Sequence, residues 1–423
     1  MSKYTLGLSC YYHDSAVALI KNGEIVAAVQ EERFSRKKHD SRFPINAIRY
    51  TLQSQNIDLR DIEMIVYYEK PLLTFERLLE TYLAVAPRGL RSFIAAMQVW
   101  LKEKLFLKSE LNRKFKSLQK ELVPNTKPHI PKFLFSEHHL SHAAAAFYPS
   151  PFDESVILCM DGVGEWATTS TWVGKKNGID PLWEISFPHS LGLLYSAITQ
   201  RIGLKPNEDE YITMGMAAFG EPKYNLEDQL WRNNHRGVGD IFPKARSEDL
   251  AASIQDLYER ELLKLVEMCP HENLVIMGGC ALNCVANSKI KNKNIWIMPS
   301  PGDAGSALGA AALVLKRKLK WINPYLGTFI GNGVNPKEVV KELLKNKVCG
   351  VTNGRAEFGP RALGNRSLLG DPRYDIKDTV NDIKRRQKFR PFAPSILEEY
   401  ADEYFDGPMN EYMQLVAKAK HDY

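Results

Sequence analysis

The chain has 423 residues, 44% apolar and 25% charged, with a net charge of +6, the balance of a globular protein of two or three domains. The first ten residues lack a basic segment leading into a long apolar run, and nowhere do about 18 uncharged apolar residues follow one another. A transmembrane helix is thereby excluded, and a cytoplasmic enzyme is expected.

In chain order, Tyr4 to Ser9 and Ser15 to Lys21 read as strands, and the Asn22-Gly23 turn returns the chain through Glu24 to Val29. Ile45 to Gln55 is predicted helical, Met64 to Tyr68 a strand, and residues 72–122 mostly helix. Between residues 87 and 132 lie eleven cations: Arg88, Arg91, Lys102, Lys104, Lys108, Arg113, Lys114, Lys116, Lys120, Lys127 and Lys132. With Phe, Trp and Leu at helical spacing among them, they fit either a nucleic-acid or membrane patch or a helical insertion with one solvated basic face.

Next comes Phe135-Ser-Glu-His-His-Leu-Ser-His142, followed by four alanines. His138 and His142 are four residues apart, so on a helix both imidazoles leave one face and can grip one divalent metal. The same spacing also suits a packed histidine pair. Without a Glu of the metalloprotease kind beside the first His, a protease reading is weak.

Ser155 to Met160 is an apolar run that reads as a buried strand delivering Asp161 at its tip. A meander continues through Trp172, turns at Asn177-Gly178 and ends near Ser186. Helices are predicted over Leu194 to Arg201 and Leu250 to Met268, and a strand over Leu274 to Met277 opens onto Gly278-Gly279. Asp303 lies between a strand and a small-residue helix, placed to complete the coordination sphere. The order strand meander, helix therefore repeats, and two similar halves would set Asp161-Gly-Val-Gly164 and Gly278-Gly279 at opposing strand ends. Such turns let backbone N–H groups approach a phosphate.

Beyond about residue 330 the chain is dense in charge. Val348 to Thr352 leads into a loop-rich stretch carrying Arg361, Arg366, Lys384, Arg386 and Arg390, mixed with Gly and Pro. Fixed guanidinium forks suit an oxyanion such as phosphate; a solvated basic surface is the plainer alternative. The cysteines Cys10, Cys159, Cys269, Cys280, Cys284 and Cys349 show no Cys-x-x-Cys spacing, so free thiols are expected.

These residues resemble the carbamoyltransferases that modify nodulation factors and several antibiotics. The resemblance rests on Tyr12-His-Asp-Ser-Ala-Val-Ala, Glu31-Glu-Arg-Phe-Ser-Arg-Lys-Lys-His39, the histidine pair, Asp161-Gly-Val-Gly-Glu-Trp, Ser190-Leu-Gly-Leu-Leu-Tyr195, Met277-Gly-Gly-Cys-Ala-Leu-Asn283, Gly302-Asp-Ala-Gly, Glu357-Phe-Gly-Pro-Arg-Ala-Leu-Gly-Asn-Arg-Ser367 and Phe389-Arg-Pro-Phe-Ala-Pro394. It implies an α/β fold: a duplicated domain of the sugar-kinase, actin and heat-shock-ATPase type over residues 1–330, with a helical insertion at about 72–122. A partial YrdC-like α/β domain over 331–423 would follow.

The implied chemistry has two steps. Carbamoyl phosphate and ATP give carbamoyl-adenylate, with pyrophosphate and phosphate released. The carbamoyl group then passes to a hydroxyl of a sugar-like or natural-product acceptor, with a bound metal, usually iron, and Mg2+ as a further candidate ion. Carried over by position, His138, His142, Asp161 and Asp303 are metal ligands, and Gly162, Gly164, Gly278, Gly279 and Asn283 line the nucleotide. His13, Asp14 and Lys38 lie near the acceptor, with His13 or Asp14 drawing its proton. Arg361, Arg366, Lys384, Arg386 and Arg390 hold carbamoyl phosphate.

Two departures stand out. Ile212 occupies a position where the family commonly has lysine, and the chain ends at Tyr423 where family members usually continue for over a hundred residues. Either a second polypeptide completes the YrdC-like domain or that domain is not functional by itself; a homodimer is expected, membrane binding is not, nor is nucleic acid. The other function classes carried are a small-molecule kinase of the same fold and a tRNA-modifying or non-catalytic partner subunit.

Overall fold

Two apolar runs, Tyr-Thr-Leu-Gly-Leu-Ser and Ala-Val-Ala-Leu-Ile-Lys, form β1 (Tyr4–Ser9) and β2 (Ala16–Lys21) in the computed structural model. Asn22 and Gly23 both take positive φ, 52° and 90°, and so turn the chain tightly into β3 (Glu24–Gln30). The structure describes residues 4–87, 89–100, 105–124, 127, 129–331 and 333–420. After α1 (Glu32–Ser35) and α2 (Ile45–Ser54) comes β4 (Ile62–Tyr67). Helices α3 (Pro71–Leu83), α4 (Leu90–Val99) and α5 (Leu107–Leu122) precede β5 (Lys132–Phe135). The sheet order is β3-β2-β1-β4-β5, antiparallel through the meander and parallel from β1 to β5.

Helix α6 (His138–Phe147) leads to a second sheet of β6 (Ser155–Met160), β7 (Ala167–Lys175), β8 (Gly178–Ser186), β9 (Asn273–Met277) and β10 (Asn294–Ile297). Between β8 and β9 (Asn273–Met277) lie α7 (Leu191–Arg201), α8 (Glu210–Met216) and α9 (Ser247–Glu267). The short α10 (Cys284–Asn287) precedes β10 (Asn294–Ile297), and α11 (Asp303–Leu315) follows it. The order β8-β7-β6-β9-β10, with β6-β7-β8 antiparallel and β6-β9-β10 parallel, repeats the first sheet strand for strand. The duplication predicted from the element order is thus present, and the fold is of the sugar-kinase, actin and heat-shock-ATPase type.

Small residues let the two halves meet. Helix α11 lies on β1, β2 and β4 and against α6, which itself lies on β6, β7 and β9. A Cβ on Gly309 would stand 1.8 Å from the Ser141 carbonyl oxygen, and one on Gly7 only 1.7 Å from that of Ala307. Glycine is required at both contacts, and Ala143, Ala144, Ala145 and Ala146 keep the rest of the seam thin. The helix pair fixes His142 on α6 relative to Asp303 on α11.

The basic segment has an ordinary packing role in part. Leu107, Leu111, Phe115 and Leu118 of α5 join the core of the first half, while Lys108, Arg113, Lys116 and Lys120 face outward. Arg88, Lys102 and Lys104 lie outside the described residues, as does the terminal His421–Tyr423 stretch. Helix α7 starts earlier than its apolar pattern suggests because Ser190 Oγ caps it, accepting from the Leu193 N–H at 3.0 Å.

The last part carries α12 (Pro336–Asn346), β11 (Val348–Thr352), β12 (Arg366–Gly370), α13 (Lys377–Ile383) and α14 (Glu398–Tyr404). Among its described residues the strands pair only as two ribbons, β11 with β12 and Phe405–Asp406 with Lys418–Ala419. Gln414 pins this segment to the second half by donating to the carbonyls of Ile297 and Met298, at 3.1 and 3.0 Å.

Candidate functional site

Each half sends chemistry to the cleft from a strand tip or a helix start. Asp161 follows β6 directly, with Oδ1 accepting from the Gly162 N–H at 2.8 Å. Asp303 opens α11, and His138 opens α6. The Glu165 carboxylate takes the His138 N–H at 2.9 and 3.0 Å and the Lys70 N–H at 2.8 Å, so it ties the starts of α6 and α3 to the 161–166 loop. A carboxylate there also opposes the positive end of each helix. Gly278, at φ +95°, presses against the strand tip, where a Cβ would come within 2.0 Å of the Met160 oxygen.

Four side chains converge. His138 Nε2 lies 3.1 Å from Asp161 Oδ2, 3.1 Å from His142 Nε2 and 3.5 Å from Asp303 Oδ1. His142 Nε2 lies 3.3 Å from Asp161 Oδ2 and 3.4 Å from Asp303 Oδ1, and one ligand atom of each residue falls within 4.8 Å of all the others. His142 Nδ1 is bonded to Ser306 Oγ at 2.9 Å, which leaves Nε2 facing inward. Asp303 Oδ2 is buried without a hydrogen-bond partner.

This donor set fits a divalent cation. A cation at ~2.1 Å from each donor spaces its ligand atoms ~3.0 Å apart along an octahedral edge and ~3.4 Å along a tetrahedral one. The spacings given above, 3.1 to 3.5 Å, lie close to that interval. Without a cation the same cluster must hold a proton: burial disfavours an imidazolium at His138, but Asp303 and the Asp161 hydrogen bond outweigh it and push the group up to about 10. Burial and the His138 and His142 charges hold neighbouring His139 well below its ordinary value; its Nδ1 meets Ser170 Oγ at 2.7 Å.

His13 and Asp14 stand beside this cluster. His13 Nε2 is 3.7 Å from Asp303 Oδ2, and its Nδ1 is 3.0 Å from Asp14 Oδ2; His39 Nδ1 reaches Asp14 Oδ1 at 2.8 Å. Burial opposes charge on His13, yet Asp303 and Asp14 lift it to about 9. Burial alone would raise Asp14, but its bonds to His13 and His39 hold it well below the carboxylate range. Tyr11, Asp14 and His39 all take positive φ, 73°, 53° and 55°, so the β1–β2 loop and the α1–α2 loop are both held in a sparsely populated conformation where they meet.

The remaining predicted residues sort into groups. Gly162 and Gly164 surround Asp161 with Gly278 and Gly279; a Cβ on Gly279 would lie 3.1 Å from Asp161 Oδ1, and one on Gly164 3.1 Å from His138 Cδ2. Asn283 is turned into the protein, exchanging hydrogen bonds with Gln255 and capping α10 through Ala286 N at 3.1 Å. Lys38 Nζ and the Arg390 guanidinium both lie over the Tyr211 ring, at 4.9 and 4.4 Å. Arg386 and Arg390 belong to the same patch as Lys384, whose pKa burial and those two charges lower. Arg361 reaches the Leu282 carbonyl at 3.3 Å. Arg366 is committed elsewhere, donating to the carbonyls of Asn353, Asn365, Thr328 and Gly354, which locks the β11–β12 ribbon. Ile212 is buried in α8. Glu165, Ser306 and His39 were not singled out by sequence; only the Glu165 and His39 motifs held a signal.

Residues 4–239 and 238–312 match the family model described as Carbamoyltransferase N-terminus, and residues 340–423 the one described as Carbamoyltransferase C-terminus. The chain belongs to the carbamoyltransferase family. An uncharacterized protein of Synechocystis sp. is 47% identical to this carbamoyltransferase-family chain, over 99% of it and 80% of the relative. Nodulation protein NolNO of Sinorhizobium fredii is 33% identical over 94% of the chain, which spans 64% of that protein. Among solved structures, component A of the Acidaminococcus fermentans (R)-2-hydroxyglutaryl-CoA dehydratase aligns with a TM-score of 0.41 at 14% identity, covering 73% of this chain and 96% of that one. No described helix is long and apolar enough to cross a membrane.

Proposed function

We propose that this protein is an ATP-dependent O-carbamoyltransferase that moves a carbamoyl group from carbamoyl phosphate, through carbamoyl-adenylate, to a hydroxyl of a sugar-like acceptor. The observation that carries this reading is the convergence of His138, His142, Asp161 and Asp303 within 4.8 Å, with His13 against Asp303. A divalent cation held there supplies Lewis-acid polarisation of carbamoyl and phosphate oxygens, and iron, zinc and manganese all suit the donors.

The chain's own groups handle orientation and the proton. Asp14 accepts from His13 Nδ1, so once the Asp303 and Asp161 charges that hold His13 protonated are offset by a cation, Nε2 of the neutral imidazole is the atom that receives the acceptor's hydroxyl proton. As the acceptor oxygen bonds to the carbamoyl carbon, the bond from that carbon to the adenylate phosphate oxygen breaks, and AMP leaves with the electron pair. The turns at Gly162, Gly164, Gly278 and Gly279 offer backbone N–H groups to the nucleotide. Lys384, Arg386 and Arg390 form the anion patch assigned to carbamoyl phosphate, with Arg361, against the Leu282 carbonyl, as a further candidate, and residues 331–423 are assigned to the start of a YrdC-like part.

The test supplies carbamoyl-adenylate directly, with Fe(II) and a panel of hydroxylated sugars, and compares wild type with His142→Ala. AMP release coupled to a carbamoylated sugar, lost in His142→Ala, is the expected result. With ATP supplied in place of carbamoyl-adenylate, ADP and a phosphorylated sugar would mean a kinase of the same fold instead.

A further inference from the structure

Arg77 of α3 is 8% exposed, yet among the described residues its guanidinium forms no ion pair and donates no hydrogen bond. It lies over the Phe187 ring, 5.6 Å from the centroid. Burial lowers its pKa, and Tyr12, Glu69 and Glu165 oppose that from longer range. Glu165 is already committed to the His138 and Lys70 N–H groups. A guanidinium keeps its charge under these conditions, and a buried one without a partner costs stability unless a ligand completes it.

The surroundings are aromatic and lead towards the cluster through Tyr12, whose ring meets that of His13 at 4.4 Å. Desolvation by neighbouring protein, together with the Asp303 and Asp161 charges and against that of Arg77, raises the Tyr12 phenol above its ordinary value. The same side chain leaves 46% of its surface accessible, as a residue on the wall of an open cleft does. His235 is placed likewise: desolvation by the surrounding loops, then the Arg77 charge, lower its imidazole although the residue is accessible. Phe187 meets His235 edge-on at 6.4 Å, and Trp231, 70% exposed, meets His189 at 5.4 Å. His189 Nδ1 is buried without a hydrogen-bond partner. A cation, aromatic rings and an unpartnered polar atom therefore lie near one another, and Tyr12, beside His13, feels the charges of Arg77 on one side and of Asp161 and Asp303 on the other.

We propose that Arg77 anchors the acceptor, and that the acceptor is an anionic sugar: its carboxylate or phosphate pairs with the guanidinium, its ring lies against Phe187 and Trp231, and its reactive hydroxyl faces His13. The inference rests on the carbamoyl-transfer reading for its reaction, while the anion site stands on Arg77 itself. Carboxylate and phosphate share the two-oxygen geometry that a guanidinium fork accepts.

Equilibrium binding to the full chain reconstituted with Fe(II), with glucose, glucuronate and glucose 6-phosphate as probes, tests this directly. At least one anionic probe binds at least about tenfold tighter than glucose, and which one distinguishes carboxylate from phosphate. Arg77→Met brings the ratio towards one, and Arg77→Lys retains part of it. Equal binding of all three probes by the wild type overturns the proposal, whether or not a variant folds, and so does an unchanged ratio in Arg77→Met. AMP release from carbamoyl-adenylate is measured alongside. Anion selectivity without AMP release for any acceptor leaves the subsite standing and removes the transfer reading; equal AMP release with neutral and anionic acceptors does the reverse.

Discussion

His142 Nδ1 stands 2.9 Å from Ser306 Oγ, and this contact decides which imidazole nitrogen faces the acidic cluster. Ser306 lies one turn along α11 from Asp303, so one helix supplies both a ligand candidate and the group that orients another. Removing the hydroxyl in Ser306→Ala leaves the fold nearly isosteric but frees the ring. Affinity for a divalent cation is expected to fall ~10–100-fold. Competition with a chromophoric chelator measures it, and equal affinities in the two proteins would exclude an orienting role for Ser306.

Cation binding and pH are linked through His138. Its folded-state value, about 10, lies above the ~6.5 of an unfolded imidazole, because Asp303 and Asp161 outweigh burial. In the cation-free protein this contribution to stability is fully present below ~6.5 and is lost as pH rises through about 10. An entering cation must displace that proton, so its apparent affinity rises with pH, roughly tenfold per unit for one proton. Calorimetric titration with Zn2+ between about pH 6 and 8 in two buffers of different ionisation enthalpy reads both the trend and the released proton. A pH-independent affinity would refute the linkage.

One side chain, Glu165, joins three segments, through the His138 and Lys70 N–H groups and its own loop. Glu165→Gln keeps the shape and removes the charge and one acceptor oxygen. With a buried N–H left poorly satisfied, the expected loss of stability is about 1–3 kcal/mol, read by urea denaturation. An unchanged midpoint would mean that water replaces the lost acceptor.

Local signals carried the site's skeleton. The four-residue spacing of His138 and His142 and the apolar run ending at Asp161 each require only neighbours in sequence, and both are where the pattern placed them. The duplicated sheet was legible for the same reason, since each meander announces itself by alternating strands and turns. What sequence did not reveal is long-range. Arg77 and Phe187, or Ser306 and His142, meet although more than a hundred residues of chain separate each pair. Arg366 misled in the opposite sense: a cation in a Gly- and Pro-rich loop looks available for an anion, but four backbone carbonyls occupy its guanidinium.

The α6–α11 seam gives the sharpest mechanical test. A methyl group at Gly309 would sit 1.8 Å from the Ser141 oxygen and 2.6 Å from the Ala145 nitrogen, both backbone atoms that cannot swing aside. Gly309→Ala must therefore push the helices apart, at a cost of about 3 kcal/mol or more, the upper range for overpacking. The same displacement separates His142 from Ser306 and Asp303, so cation affinity should fall together with stability. Gly350→Ala is the control: it lies in β11 with nothing within 4 Å of an added Cβ, and its effect should stay within about 0.5 kcal/mol. Paired measurements of urea midpoint and chelator competition distinguish the outcomes. Loss of stability with unaltered cation affinity would show that the cluster does not depend on the helix seam, whereas joint loss makes the seam the element that sets its spacing.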